Sequence, residues 1–196
     1  MTDFELPEIV YHGTVSVHKE SIESGIDINK GYKSVDFGQG FYTTPDYHQA
    51  LNIALARTNA YNLRHKKGSV AYPMVITFHL DREGLNAYKG LIFEKADDRW
   101  KEFVFNNRVG IDFSVSKFYN KSGKYSYVYG FVADSNITEM VGSIREGRSS
   151  FGEFADKLKP LKSNSYVQLS FHSSEVVKLL TLDKIDIIDK EVAFYG

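Results

Sequence analysis

Two short segments hold residue types that suggest chemistry. The first is Tyr11-His12-Gly13-Thr14. Residues 8–12 read as a short strand, so the His12 imidazole falls at a strand end beside a residue with no Cβ. A flat ligand can approach such a backbone. An amide ligand can use the N–H and C=O of Gly13 together, which suits a carboxamide, and His12 can then bond a ribose hydroxyl. The competing reading is a turn glycine beside a satisfied histidine. The second segment is Asp36-Phe37-Gly38-Gln39-Gly40-Phe41-Tyr42-Thr43-Thr44. Its two close glycines allow a tight bend, after which Tyr42 can stack on a planar heterocycle with its hydroxyl free to bond. The competing reading is a hairpin with aromatic core residues.

Other reaction types lack their residues. The Lys-Ser/Thr ending of a phosphate loop and the GxGxxG pattern are absent, and Asp36-Phe37-Gly38 stands without the other kinase motifs. No GxSxG elbow occurs. The chain has no cysteine, which removes thiol catalysis, disulfides and thiolate metal sites. His18, His48, His65, His79 and His172 have no metal-ligand spacing, so no metal is expected. Arg108, ending a helical segment, suits either pyrophosphate binding or a buried ion pair with Asp134 or Asp36. Arg57 is a similar phosphate candidate. Lys66 and Lys67, beside Arg64 and His65, form a basic run read as a solvated loop.

These residues need elements to place them. Helical patterns cover residues 16–24 (capped by Ser16), 46–63, 99–108, 151–158 and 174–180. Another runs through 140–145, capped by Asp134 or Ser135. In the 46–63 helix, Ala50, Ile53, Ala54 and Ala60 form the inward stripe. Strands are expected at 8–12, 41–44, 70–80, 126–133, 166–171 and 182–189, with Pro73 marking an edge or irregular start. Strands spread from start to end with helices between them predict α+β with a split mixed or antiparallel sheet. The 196 residues suit one domain, 1–196. With 42% hydrophobic and 25% charged residues the chain has the balance of a folded soluble protein. A net charge of −1 gives no global pull toward nucleic acid or membrane. No basic n-region, long apolar h-region or membrane-length apolar run is seen, so a cytoplasmic protein without membrane contact is expected.

Taken together, YHGT, then DFGQGFYTT, then a helix carrying Gln49-Ala50, resembles the ADP-ribosyltransferase superfamily. The match is to its branch with a His–Tyr–Glu triad, which includes diphtheria toxin and the poly(ADP-ribose) polymerases. The alternative Arg–Ser–Glu branch begins with Arg where His12 stands. Over residues 8–182 the chain also resembles small bacterial proteins expected to share this fold, through RWKEFVFNNR, YVYGFVADS and YVQLSFHSSEVVKLL. The resemblance implies a split mixed sheet with flanking helices and NAD as co-substrate. It also implies that His12 bonds the nicotinamide ribose, Gly13 clamps the carboxamide and Tyr42 stacks on nicotinamide. Thr14, Gly40, Phe41 and Arg108 complete the implied cofactor-binding set.

The third triad position departs from the family. Gln168 in YVQLSF stands where Glu is usual. Its carbonyl can accept a ribose hydrogen bond, but it has no charge to stabilise the ribosyl cation. Glu102 and Glu175 are possible surrogates, with solvated helix residues as the competing reading. The implied activity releases nicotinamide and transfers ADP-ribose to a macromolecular acceptor: protein, RNA or DNA. A bacterial toxin or phage-defence effector with an antitoxin or regulatory partner is the implied setting. The alternative is a catalytically impaired module that binds NAD or ADP-ribose or docks to a partner.

Overall fold

A computed structural model describes residues 4–65, 70–121, 123–134, 137–161 and 166–188. The expected basic run at Lys66 and Lys67, and the alternative cap Ser135, lie outside them.

Among the described residues, seven strands form two sheets. They are β1 (Ile9–Val15), β2 (Phe41–Thr43), β3 (Pro73–Leu80), β4 (Gly90–Ile92), β5 (Tyr127–Phe131), β6 (Val167–Phe171) and β7 (Leu180–Ile187). The first sheet has the order β1-β3-β7 and is antiparallel throughout. The second has the order β2-β6-β5-β4, antiparallel except for the parallel pair β4–β5. An isolated bridge between Tyr11 and Thr44 links the two sheets. The helices are α1 (Lys19–Glu23), α2 (Tyr47–Arg64), α3 (Asp98–Val109), α4 (Ile137–Arg145) and α5 (Phe151–Lys157).

Side-chain alternation along the strands builds the layers. Val10, Met74, Ile76 and Phe78 of the first sheet meet Phe41, Tyr127, Leu169 and Phe171 of the second in one buried cluster. The outer face of the first sheet receives α2 through Ala50, Ala54 and Val75. The far side of the second sheet is covered by an aromatic cluster containing Trp100, Phe103 and Phe105 of α3 and Phe154 of α5. Helix α2 starts where Asp46 accepts hydrogen bonds from the His48 and Gln49 N–H groups. Gln49 then reaches across to donate to the Val167 carbonyl at 2.9 Å, tying α2 to β6.

Several expectations change. Gly13 is not at a strand end: β1 runs through it to Val15, and Gly13 pairs with Val75. A Cβ at Gly13 would lie 1.9 Å from the Ala50 carbonyl oxygen, so the bare Cα is what lets α2 sit on β1. The inward side of α2 is Gln49, Ala50, Ala54 and Thr58, with Ile53 and Ala60 exposed. Residues 16–24 form a 3-10 turn, Ser16–His18, followed by α1. Ser16 caps neither, because its hydroxyl accepts from the Tyr72 N–H. Pro73 opens a strand that is central, where its missing N–H falls at the ladder's end. The expected helix at 174–180 is a 3-10 turn, Val176–Leu179. β4 has no counterpart among the expected strands: three residues are too few to show a period.

Gly13→Ala tests the close approach of α2. Overpacking against a backbone carbonyl should lower unfolding stability by about 3 kcal/mol in a denaturant titration. A fully stable Gly13→Ala would show that α2 can move away from β1 at no cost.

Candidate functional site

His12, Tyr42 and Gln168 come from β1, β2 and β6. The imidazole Nδ1 of His12 lies 2.7 Å from the Tyr42 carbonyl oxygen. A carbonyl only accepts, so Nδ1 carries the proton and Nε2 keeps its lone pair. Burial, with Arg57 nearby, lowers the His12 pKa to about 3, so the ring is a fixed neutral acceptor at ordinary pH. The His12 ring also stacks on Phe41, centroids 4.3 Å apart. His12 therefore meets Tyr42 through its main chain and Phe41 through its ring.

The Tyr42 hydroxyl is not free, contrary to the sequence reading. It donates to the Gly38 carbonyl at 2.6 Å and accepts from the Phe37 N–H at 3.2 Å. This closes the glycine loop on itself, with Gly38 at φ +90, a conformation that favours glycine. Burial and the Asp36 carboxylate push the phenol pKa well up, so the hydroxyl stays a donor. The half-buried ring packs on the aromatic cluster around α3. Gly40 lacks a Cβ for a packing reason: one there would lie 2.4 Å from the Phe171 carbonyl oxygen and 2.6 Å from His172 Nδ1.

Strand parity places the Gly13 peptide. Tyr11 exchanges both of its backbone hydrogen bonds with Thr44, at 2.8 and 2.9 Å, so odd-numbered residues of β1 turn their N–H and C=O away from β3. Gly13 shares that direction, and its carbonyl accepts from Arg57 Nη1 at 2.8 Å. A carbonyl has two lone pairs, so a second donor can still be received. Thr14 is buried, and its backbone lies in the ladder with β3.

Gln168 does not stand alone. Its Nε2 donates to Asp36 Oδ2 at 2.9 Å. Asp36 is buried, and its other contacts are the Ala133 N–H at 3.0 Å and the Arg108 guanidinium, whose Nε and Nη2 lie 2.7 and 2.6 Å from Oδ1. A carboxylate oxygen needs a donor, which fixes the amide's nitrogen on Asp36 and leaves Oε1 as the group it can offer elsewhere. Of the two roles open to Arg108, the ion pair with Asp36 is the one observed. Glu102, on α3, accepts from the Ser116 hydroxyl, and Glu175 is exposed beside Ser174. Neither makes a hydrogen bond or ion pair with His12, Tyr42 or Gln168.

Asp36, Ser170 and His172 were missed as parts of this arrangement. Tyr42 pairs in register with Ser170, and the buried Ser170 hydroxyl lies 2.9 Å from His172 Nε2. His172 Nδ1 faces the Gln39 carbonyl at 2.8 Å, so Nδ1 holds the proton and Nε2 accepts from Ser170. Burial lowers the His172 pKa to about 4. Ser170 has no exposed surface, and through His172 it fastens the glycine loop to β6. A signal existed: Gln168, Ser170 and His172 recur at the strand period of two. Among the described residues no cluster of metal-ligating side chains occurs, and no helix is long and apolar enough to cross a membrane.

Site and sheets together define an α+β protein of two mixed or antiparallel sheets. Residues 9–182 match the family described as Protein of unknown function (DUF3990), and the chain belongs to that family. No curated protein and no solved structure matches the chain.

Two outcomes are expected. Asp36→Asn strands the Arg108 charge and should cost about 3 kcal/mol of stability in urea unfolding. An unchanged midpoint would mean that the pair is dispensable. Acid should also destabilise the fold through His12 and His172. Their folded pKa values lie below the unfolded value, so the unfolded chain binds more protons between about pH 6.5 and those values. Stability is then full above pH 6.5 and falls as pH drops, by about 2 kcal/mol per imidazole at pH 5. His172→Gln should flatten the slope between pH 7 and pH 5; an identical slope would show that His172 takes no part.

Proposed function

We propose that the chain is an NAD-dependent ADP-ribosyltransferase domain of the His–Tyr type with Gln168 as its third residue. The observation that carries this reading is the meeting of three distant segments. The His12 imidazole bonds the Tyr42 main chain at 2.7 Å, and Tyr42 pairs with Ser170, two residues from Gln168 on the same face of β6. The geometry supports separate roles. Gly13 turns its peptide edge away from β3, where a nicotinamide carboxamide can use its N–H and the second lone pair of its C=O. His12 Nε2 accepts from a ribose hydroxyl. Tyr42 contributes its ring, since its hydroxyl is committed to the loop. Gln168, oriented by Asp36, offers Oε1 to the ribose.

In the reaction the bond between the ribose C1′ and nicotinamide breaks, and its electron pair leaves with nicotinamide. A nucleophile of a protein, RNA or DNA acceptor forms the new bond to C1′ and gives up its proton. The chain's part is to bend the dinucleotide and clamp the leaving group. A toxin or phage-defence effector, with an antitoxin or regulator, belongs to this same reading. One observation favours the binding module instead. Gln168 is neutral, and the carboxylate behind it, Asp36, is spent on Arg108.

Nicotinamide release from NAD, with and without cell extract, tests the reading. The wild type should turn over, and Gln168→Ala should be slower by about a hundredfold through lost orientation of the ribose. Tyr42→Ala should weaken NAD binding more than Tyr42→Phe, because stacking needs the ring. Tyr42→Phe also unties the glycine loop, so its stability should fall by about 1–2 kcal/mol. Binding without release under any condition would establish the module. Absence of NAD binding would sink the enzyme reading and leave only a module that holds ADP-ribose or docks to a partner.

A further inference from the structure

Beside Gly13, three basic side chains from separate segments lie within electrostatic range: Arg57 and Lys30 both act on His18. Arg57 projects from α2 and donates to the Gly13 carbonyl. His18 closes the 3-10 turn after β1. Lys30 ends a second 3-10 turn, Ile28–Lys30, where its Nζ donates to Ser21 Oγ at 2.6 Å. The turn is held in place from both sides of Lys30: the Gln39 amide donates to the Asn29 carbonyl at 2.6 Å and the Gly31 carbonyl at 3.1 Å. Lys30 is thus fastened to the glycine loop that leads into β2.

The charge of this cluster is unbalanced. Arg108, the other arginine near the site, has Asp36, whereas Arg57 has no carboxylate partner among the described residues. Arg57 keeps solvent-exposed surface, and partial desolvation of its guanidinium lowers its pKa. His18 is disfavoured as a cation by desolvation and then by Arg57 and Lys30. Arg57 and Lys30 both act on His18, and neither cation is in an ion pair among the described residues, so an anion is the partner this cluster can take. Guanidinium and ammonium groups in such a fork suit phosphate oxygens.

We propose that Arg57, His18 and Lys30 form a diphosphate-binding site beside Gly13. The assignment of that diphosphate to NAD rests on the proposed function; the anion site itself does not. The link is geometric: the Gly13 carbonyl that would receive the carboxamide is the one that holds Arg57. One peptide group therefore ties the nicotinamide end of the ligand to its phosphates. The site also gives α2 and the Ile28–Lys30 turn a role in binding that the three strand residues cannot fill.

Calorimetric titrations with inorganic pyrophosphate, ADP, nicotinamide, NAD and a short single-stranded RNA test this on the wild type, Arg57→Gln and Lys30→Ala. Lys30 is exposed, so its variant should stay folded and decides the matter if Arg57→Gln does not. Pyrophosphate and ADP should bind the wild type, about tenfold more weakly in Arg57→Gln and several-fold more weakly in Lys30→Ala. Their affinity should fall with added salt, while nicotinamide binding stays unchanged in Lys30→Ala. Unaltered pyrophosphate and ADP affinity in the folded variants overturns the site, even if NAD is still consumed. RNA binding that depends on these residues while ADP fails to bind overturns it in favour of a nucleic-acid contact. Arg57-dependent pyrophosphate binding without any nicotinamide or NAD binding supports the anion site and removes the proposed function.

Discussion

A carboxylate deep in a protein survives only if its lone pairs are met, because the cost of stripping water from it exceeds that of most single contacts. Asp36 meets this condition by drawing four parts of the chain onto itself: its own loop, the end of α3 through Arg108, the Ala133 N–H after β5, and Gln168 of β6. Each donor fixes something the site needs. Arg108 locks α3 against the second sheet. The Ala133 N–H sets where β5 ends. Gln168 receives its amide orientation, which a solvent-facing glutamine would lack. The glycine loop that follows Asp36 is then closed by the Tyr42 hydroxyl, and the loop's far end is fastened to β6 by His172.

The other constraint is spatial. The two sheets touch through an apolar cluster and one backbone bridge, and α2 closes the outside of the first sheet. Helix and strand approach each other at Gly13 as closely as backbone atoms allow. This keeps Arg57, two turns along α2 from that contact, within reach of the Gly13 carbonyl. Two contacts share the residue: the missing Cβ admits the helix, and the carbonyl holds Arg57.

Both buried imidazoles are held neutral and in one tautomer by carbonyl oxygens, yet they do different work. His172 uses its second nitrogen on Ser170, inside the protein. His12 has its Nδ1 occupied by the Tyr42 carbonyl, which leaves Nε2 as an acceptor. The same hydrogen-bonding rule thus makes one ring a fastener and the other a group able to recognise a hydroxyl.

The sequence by itself determined the element types where they are long or strongly capped. The helical patterns at 46–63 and 99–108 correspond to α2 and α3, because helical period is a local property. It also singled out His12, Gly13 and Tyr42 by residue type and spacing, and Gln168 through the resemblance. Only the tertiary structure decided what those residues touch. Which acid Arg108 meets, that Tyr42 spends its hydroxyl on Gly38, and that Asp36 holds Gln168 are all contacts between segments far apart in the chain. The short β4 was likewise invisible until β5 lay beside it. Gly13 shows the reason most plainly. Its sequence neighbours suggest a turn, but its conformation is set by Val75 on one side and Ala50 of α2 packed over its bare Cα, and neither partner is local.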